Sequence, residues 1–133
     1  MTVGLPVGAT HSADMARRLV LGCGSVGHAV VVGLSDRSGD LSVIDPDPDR
    51  VETLRNEGIP AERGDPADEH DIAVEPRVDT VFVASDDAEA NLTAARTARA
   101  VYPDAALVVY TGVDPDRSTI EAIDAVADRT LDT

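Results

Sequence analysis

This 133-residue sequence has no lysine, a single cysteine and no long apolar run. Its single cysteine excludes an intramolecular disulfide framework. No run approaches the roughly 20 apolar residues that cross a membrane, and residues 1–14 show neither the basic nor the apolar part of a signal peptide. We therefore expect a cytoplasmic protein with no direct membrane insertion, and the length fits one domain with one core.

The charge is strongly one-sided, because 25 acidic residues stand against 11 arginines and give a net charge of −14. At ordinary salt this charge opposes compaction through self-repulsion, and high salt screens it. An acid-rich, lysine-free composition resembles that of haloarchaeal cytoplasmic proteins, and an acidic mesophilic domain is the alternative. No basic patch is available to displace the counterions of a nucleic acid, so we expect no nucleic-acid partner.

The most informative stretch is the glycine-rich sequence GCGSVG at residues 22–27, which has the spacing G-x-G-x-x-G. An apolar strand is predicted before it at 19–21, and a well-buried apolar helix is predicted from 25 to 34. In such a turn the first glycine permits the sharp bend, the second lets the backbone approach a pyrophosphate, and the third lets the helix pack close to the strand. Free N–H groups at the helix start then face phosphate groups. A glycine turn that binds nothing is the alternative.

An acid follows the next predicted strand at the distance that this motif expects. Asp45 ends the apolar run 41–44 and lies 18 residues after Gly27, close to the roughly 20 residues of the dinucleotide-binding pattern. Its carboxylate would accept hydrogen bonds from the hydroxyl groups of an adenosine ribose. It would also repel a 2′-phosphate, so the sequence favours NAD(H) over NADP(H).

Strands and helices alternate along the rest of the chain. Further strands are predicted at 59–62, 80–84 and 106–110, with a short edge strand at 129–131. Asp47 and Pro48 predict a helix start and Gly58 its end; two later helices are predicted to begin at the pairs Asp86–Glu89 and Ser118–Glu121. Residues 72–74 predict one helical turn before Pro76. The sequence thus predicts a Rossmann-like α/β fold: a doubly wound parallel sheet of five to six strands with helices on both faces.

Several motifs together resemble the TrkA-N domain, the nucleotide-binding half of the RCK modules that regulate potassium transport. Besides the glycine turn, they are I-D at 44–45, D-x-x-R-V-E-x-L at 47–54, G-D at 64–65 and A-S-x-D-x-E-x-N-L at 84–92. Their joint occurrence is far more specific than any one of them. The resemblance covers about residues 17–131, so we assign 17–133 to a TrkA-N (RCK N-terminal) dinucleotide-binding domain and residues 1–16 to a flexible leader.

The resemblance implies a ligand at the carboxyl ends of the strands: NAD(H), or ATP, ADP or AMP as in some members. It implies phosphate contacts from the glycine turn, ribose contacts from Asp45, adenine contacts from Arg50 and Asp65, and a far wall from Ala84 and Ser85. The implied cofactor-binding residues are Gly22, Cys23, Gly24, Ser25, Val26, Gly27, Asp45, Arg50, Asp65, Ala84 and Ser85. Asn91 matches a family position without an assigned ligand contact, and Asp86 stands where glycine is common, which narrows the site.

By resemblance the chain is a regulatory, nucleotide-sensing domain that controls potassium transport or an attached or partner phosphoesterase. The second RCK half is absent. A similar domain precedes DHH-type phosphoesterase domains in archaeal exopolyphosphatase-related proteins, and the sequences GCGSVGHAV and AIDAVADRTLD most resemble that subgroup. The chain has no D-H-H motif of its own. RCK domains pair, so the resemblance implies a homodimer, with the apolar faces of the last two helices as the candidate surface.

No catalytic or metal-binding residues are predicted. Cys23 at a helix start would have a lowered pKa suited to redox chemistry, but a bound pyrophosphate would oppose that charge, so a packing role is favoured. A packed position on the helix is favoured for His28 over acid–base chemistry, and the acidic run 45–49 lacks the downstream glycine and glutamate of a calcium-binding loop. A small NAD-dependent oxidoreductase and a dimerisation scaffold with a decayed nucleotide site are the alternative functions.

Overall fold

The apolar strands form one parallel sheet in the computed structural model, which describes residues 16–35 and 39–132. The described strands are β1 (Arg17–Cys23), β2 (Asp40–Asp45), β3 (Ala61–Arg63), β4 (Thr80–Ala84), β5 (Ala106–Tyr110) and β6 (Arg129–Leu131). Their order is β3-β2-β1-β4-β5-β6, and every neighbouring pair is parallel. The predicted doubly wound, Rossmann-like fold is confirmed. The order reverses between β1 and β4, where ligand crevices form in such sheets.

Helices cover both faces of the sheet because successive strand residues point to opposite sides. The described helices are α1 (Ser25–Ser35), α2 (Pro48–Asn56), α3 (Glu69–Ile72), α4 (Ala88–Val101) and α5 (Arg117–Val126). On one face, Val20 and Val43 of the strands pack with residues of α1 and α2. On the other face, Leu19 and Leu21 pack with residues of α3, α4 and α5. Among the described residues, no helix has the length and apolar character needed to cross a membrane.

Aspartates are the N-caps of helices α2 to α5, and two of these caps differ from the prediction. Asp47 caps α2 as predicted, with its carboxylate accepting from the Asp49 N–H at 2.9 Å. For α4 the cap is Asp87, which accepts from the N–H groups of residues 89 and 90, so the prediction of Asp86 was wrong. For α5 the cap is Asp116 rather than Ser118. The bond from the Thr119 backbone N–H lowers the pKa of Asp116. In both cases the charged carboxylate before the first helical residue captures the free N–H groups.

The predicted burial of α1 and the predicted bounds of α3 and β3 were also wrong. Helix α1 is not buried all round: Gly27 and Val31 are buried, whereas Val32 is 46% exposed, because an open sheet covers one stripe of a helix. The short turn between β3 and β4 is α3, centred before the predicted 72–74 because Asp68 caps it. Strand β3 is also shorter and later than predicted. The predicted leader lies outside the described residues except Ala16.

The apolar faces of α4 and α5 lie largely inside the domain. Residues Ala94, Ala95 and Ala98 of α4 and Ile123 of α5 belong to the core on that side of the sheet. Leu92, Val101 and Val126 are partly buried against the same core. The surface predicted for pairing with a second copy is therefore mostly covered within one chain.

Two glycines of α1 provide a matched test of this packing. A Cβ at Gly27 would lie 2.6 Å from the Ala84 carbonyl oxygen, whereas a Cβ at Gly33 would meet nothing within 4 Å. We expect Gly27→Ala to lower the free energy of unfolding by about 1–3 kcal/mol through overpacking. Gly33→Ala should raise it by roughly 0.5–1 kcal/mol, because alanine costs less backbone entropy in a helix. Urea unfolding in molar KCl measures both, and equal effects would contradict the packing of α1 on β4.

Candidate functional site

The turn between β1 and α1 packs tightly against the loop that follows β4. Gly22 has a φ of +78° at the point where the pairing of β1 with β4 shifts register, and a Cβ there would lie 2.9 Å from the Ser85 Cβ. The Gly24 N–H donates to the Ala84 carbonyl at 3.1 Å. The sequence predicts that these glycines let the backbone approach a pyrophosphate. In this structure they let the turn after β1 approach the loop after β4.

Asp86 occupies the start of α1. One of its carboxylate oxygens, Oδ1, accepts from the Ser25 backbone N–H at 3.2 Å and lies 3.4 Å from the Ser25 hydroxyl. A Cβ at Gly24 would collide with the same carboxylate. Asp86 therefore narrows the predicted site at the N-terminus of α1, which is where a helix favours an anionic group.

Asp45 ends β2 as a fully buried carboxylate. Its Oδ2 accepts from the Cys23 N–H at 2.8 Å, and its Oδ1 accepts from the Asp47 N–H at 2.9 Å. Nη1 of Arg50 lies 3.3 Å from Oδ2 and 3.4 Å from Oδ1. A carboxylate has about four lone-pair sites, so each oxygen of Asp45 already meets two donors. Asp45 therefore links the glycine turn to the start of α2.

A cavity of about 350 Å³ lies beside Asp45, near the lower end of the roughly 300–1,000 Å³ of small-ligand sites. Five predicted site residues line it: Gly22, Asp45, Arg50, Asp65 and Ser85. The other lining residues are Leu21, Pro46, Pro66, Ala67, Ala90, Asn91, Thr93 and Ala94. Arg50 is the one cation in this lining. Cys23, Gly24, Ser25, Val26, Gly27 and Ala84 are outside it, since the turn is covered by the loop after β4.

The Asp65 wall of the cavity comes from the loop after β3. The Gly64 N–H donates to the Asp45 carbonyl at 3.1 Å, which brings this loop to the edge where Asp45 lies. The Asp65 carboxylate accepts from the Ala67 N–H at 2.9 Å, and the Thr97 hydroxyl of α4 donates to the Ala67 carbonyl at 3.0 Å. The loop is thus fastened both to β2 and to α4, one on each side of the cavity.

Asn91 is a positioning residue whose role the sequence analysis missed. Its side chain is fully buried. Oδ1 accepts from the Ser85 N–H at 3.0 Å and from the Ser85 hydroxyl at 2.7 Å, while Nδ2 donates to the carbonyls of Ser85 at 2.8 Å and Tyr110 at 3.0 Å. Asn91 therefore holds the loop after β4 against β5. An amide one helical turn after a cap was the available signal, because its oxygen can accept two hydrogen bonds while its NH₂ group donates two.

Cys23 and His28 do not form a reactive pair at the site. The Cys23 side chain is buried, and burial, with the Asp45 carboxylate, raises the pKa of its thiol to about 11 although Arg50 opposes the shift. The helix-start effect that would lower this pKa is outweighed by desolvation. His28 is partly exposed and its Nε2 lies 3.0 Å from Glu57 Oε1, so it contacts the residue that follows α2 rather than the cavity. No cluster of three metal-binding side chains occurs within residues 16–35 and 39–132.

Comparison with protein-family models matches the TrkA-N domain over residues 18–129. The chain belongs to the TrkA-N domain family. Comparison with curated protein sequences finds no match. The resemblance predicted from the glycine turn, Asp45 and the later motifs is thus confirmed at the level of the family, whereas the phosphoesterase-linked haloarchaeal subgroup stays a prediction.

Solved structures share the fold of this TrkA-N domain. The TrkA-N domain of the inner membrane protein ybaL from Escherichia coli is 24% identical, with a TM-score of 0.73 over 88% of this chain and 87% of that one. The NAD(P)-binding domain of an exopolyphosphatase-related protein from Archaeoglobus fulgidus is 24% identical, with a TM-score of 0.74 over 87% and 86%. The GsuK channel bound to NAD is 18% identical, with a TM-score of 0.70 over 88% of this chain and 21% of the channel chain.

The role of Asn91 in this TrkA-N domain can be measured as stability. Asn91→Ala leaves the Ser85 N–H and the Ser85 and Tyr110 carbonyls without their side-chain partner, so we expect a loss of about 2–3 kcal/mol in the free energy of unfolding. Asn56→Ala, at the exposed end of α2, is the matched control and should change it by less than about 0.5 kcal/mol. Similar values for both variants would contradict the positioning role.

The thiol of Cys23 should be almost inert in the folded domain. A rise of its pKa from 9.0 to about 11 cuts the thiolate fraction at pH 8 by roughly 100-fold, and the thiolate is the reactive form. We expect iodoacetamide to modify the folded domain at least about 100-fold more slowly than the urea-unfolded chain, with mass spectrometry as the readout. Comparable rates in the two states would show that the thiol is ionised or accessible.

Proposed function

We propose that this TrkA-N domain binds an adenine nucleotide, with NAD(H) as the first candidate and ATP, ADP or AMP as alternatives, and acts as a regulatory sensor. The main support for this proposal is the cavity at the carboxyl edge of the sheet, which is lined by Gly22, Asp45, Arg50, Asp65 and Ser85. It lies at the reversal of strand order, where doubly wound sheets hold their ligands. The NAD-bound GsuK channel and the NAD(P)-binding domain from Archaeoglobus fulgidus, which share this fold, support the choice.

The ribose of the proposed ligand bonds to Asp45. Since both oxygens of that carboxylate are already occupied, a ribose hydroxyl has to replace one donor. The contacts from Arg50 are the longest, at 3.3 and 3.4 Å, and the Arg50 side chain is 43% exposed, so Arg50 is the donor that gives way. Released from Asp45, its planar guanidinium is free to lie over the adenine. Asp65 then borders the adenine.

The phosphates of the proposed ligand lie along the glycine turn, where the first N–H groups of α1 point toward the sheet edge. The residues assigned to this half of the site are Gly22, Cys23, Gly24, Ser25, Val26 and Gly27, with Ala84 and Ser85 on the far side. A ligand that fills both halves bridges β1, β2 and β4. Such bridging favours one arrangement of the loops over others and shifts the population that a partner detects.

The partner in this proposal is a potassium-transport subunit or a phosphoesterase, attached or separate, and the domain pairs as a homodimer. The family membership and the exopolyphosphatase-related relative support the choice of partner. The homodimer rests on the resemblance alone, because the apolar faces of α4 and α5 belong mostly to the core. An oxidoreductase is disfavoured, because neither Cys23 nor His28 lines the cavity. The scaffold alternative draws support from one observation: Asp86 occupies the start of α1, where the phosphates would lie.

The ligand proposal is tested by thermal shift and calorimetry in molar KCl with NADH, NADPH, ATP, ADP and AMP. Binding to the native state alone must raise its melting temperature. We expect NADH to bind roughly tenfold or more tightly than NADPH, because Asp45 repels the 2′-phosphate. Asp45→Asn should abolish this preference, while Asp49→Asn, a matched acid on α2 outside the cavity lining, should retain it.

Two other outcomes would change the conclusion. If ATP or AMP shifts the melting temperature and NADH does not, the nucleotide site stands and the choice of NAD(H) is wrong. If no adenine nucleotide binds the folded wild-type domain, the scaffold alternative replaces the sensor.

A further inference from the structure

We propose that Asp86 is an internal competitor for the phosphate groups of the ligand, and that it sets the specificity of the site against phosphate-rich nucleotides. This inference rests on the proposed function, because it concerns the phosphate half of the same site. Its consequence is that a nucleoside can enter beside Asp45 by displacing Arg50, whereas the phosphate half opens only when the Asp86 carboxylate leaves the start of α1.

The contacts of Asp86 are those that a bound phosphate would make. Its Oδ1 accepts from the Ser25 backbone N–H and lies within 3.4 Å of the Ser25 hydroxyl, directly beside Gly24. A carboxylate and a phosphate oxygen satisfy the same helix N-terminus through the same N–H groups and the same dipole. Both cannot occupy it together, because they share the donors and repel each other as like charges.

The cavity ends close to this contact, at the two loops that form it. Gly22 and Ser85 line the cavity, and Gly24 and Asp86, two residues and one residue farther along the same loops, lie against each other. A nucleoside placed against Asp45 therefore directs its 5′ substituent toward the Asp86 carboxylate. This closeness distinguishes the contact from an ordinary helix cap, since Ser25 lies three residues after Gly22, a wall of the ligand-sized cavity.

The carboxylate, rather than its loop, is the part that has to move. The Asn91 side chain holds the backbone of Ser85 on one side, and the Val113 N–H donates to the Asp86 carbonyl at 2.8 Å on the other. Asp86 itself is exposed, and its contacts with Ser25 are long. A rotation of the side chain into water is therefore enough to release the helix start.

The surrounding charge strengthens the discrimination. Asp45 and Asp65 line the cavity, and Arg50 is the one cation among the lining residues. A ligand with a pyrophosphate thus adds negative charge to a site where acids already outnumber the single guanidinium. An uncharged nucleoside incurs none of this repulsion, so removal of the Asp86 charge should affect only phosphate-bearing ligands.

The test compares ADP-ribose with adenosine on wild type, Asp86→Asn and Asp104→Asn by calorimetry in molar KCl. Asp86→Asn keeps the shape and removes the charge, whereas Asp104→Asn makes the same charge change in the turn between α4 and β5. We expect Asp86→Asn to bind ADP-ribose roughly tenfold or more tightly than wild type, with adenosine affinity changed less than about twofold. Asp104→Asn should match wild type for both ligands.

Equal or weaker binding of ADP-ribose by Asp86→Asn would overturn the inference, and weaker binding would make the carboxylate a ligand contact instead. An equal gain for adenosine would also overturn it, because the effect would then not involve phosphate. These results leave the proposed function intact as long as wild type binds either compound. If Asp86→Asn does not fold, Asp86→Gly replaces it, with the same expected gain. If none of the folded proteins binds either compound, both proposals fail.

Discussion

The close approach of α1 to the end of β4 is the constraint on which the site depends. Gly27 brings the helix so near the Ala84 carbonyl that no side chain fits between them, and the Gly24 N–H bonds to that same carbonyl. This contact aligns the glycine turn with the loop after β4 across the point where the strand order reverses. Without it the two loops would not form adjacent walls, and Asp86 would not reach the start of α1.

Two buried polar side chains hold those walls in place. Asp45 ties the glycine turn to α2, and Asn91 ties the loop after β4 to the end of β5. Each side chain is fully buried and has all its polar atoms hydrogen-bonded, so each holds the segments that it connects in a fixed arrangement. The movable groups, Arg50 and Asp86, are more exposed and make longer contacts. The site thus combines a fixed frame with two charged side chains that can be displaced.

This division explains how a small open-sheet domain could respond to a ligand. In the proposed mechanism, a nucleotide replaces the contacts of Arg50 and Asp86 with its own, and the bonds of Asp45 and Asn91 transmit the change to the starts of the helices. The balance of charge decides how readily this happens, because acids outnumber cations around the cavity. In the proposed regulatory role, small differences in binding free energy between loop arrangements carry the signal.

The sequence by itself determined the layer architecture and the family. The strand periods, the glycine spacing and the acid after β2 are local patterns, so they can be recognised without knowing which distant residues are in contact. It also located five residues that line the cavity, Gly22, Asp45, Arg50, Asp65 and Ser85, since the carboxyl ends of parallel strands meet at one edge. Tertiary structure decided the rest. Asp86 bonds to Ser25, 61 residues earlier, instead of capping α4, and Asn91 also bonds to Tyr110, 19 residues later. The Cys23 thiol stays protonated because it is buried and lies beside Asp45, 22 residues later. These features depend on contacts between residues remote in sequence. Burial and hydrogen-bond geometry are set only when the two loops pack together.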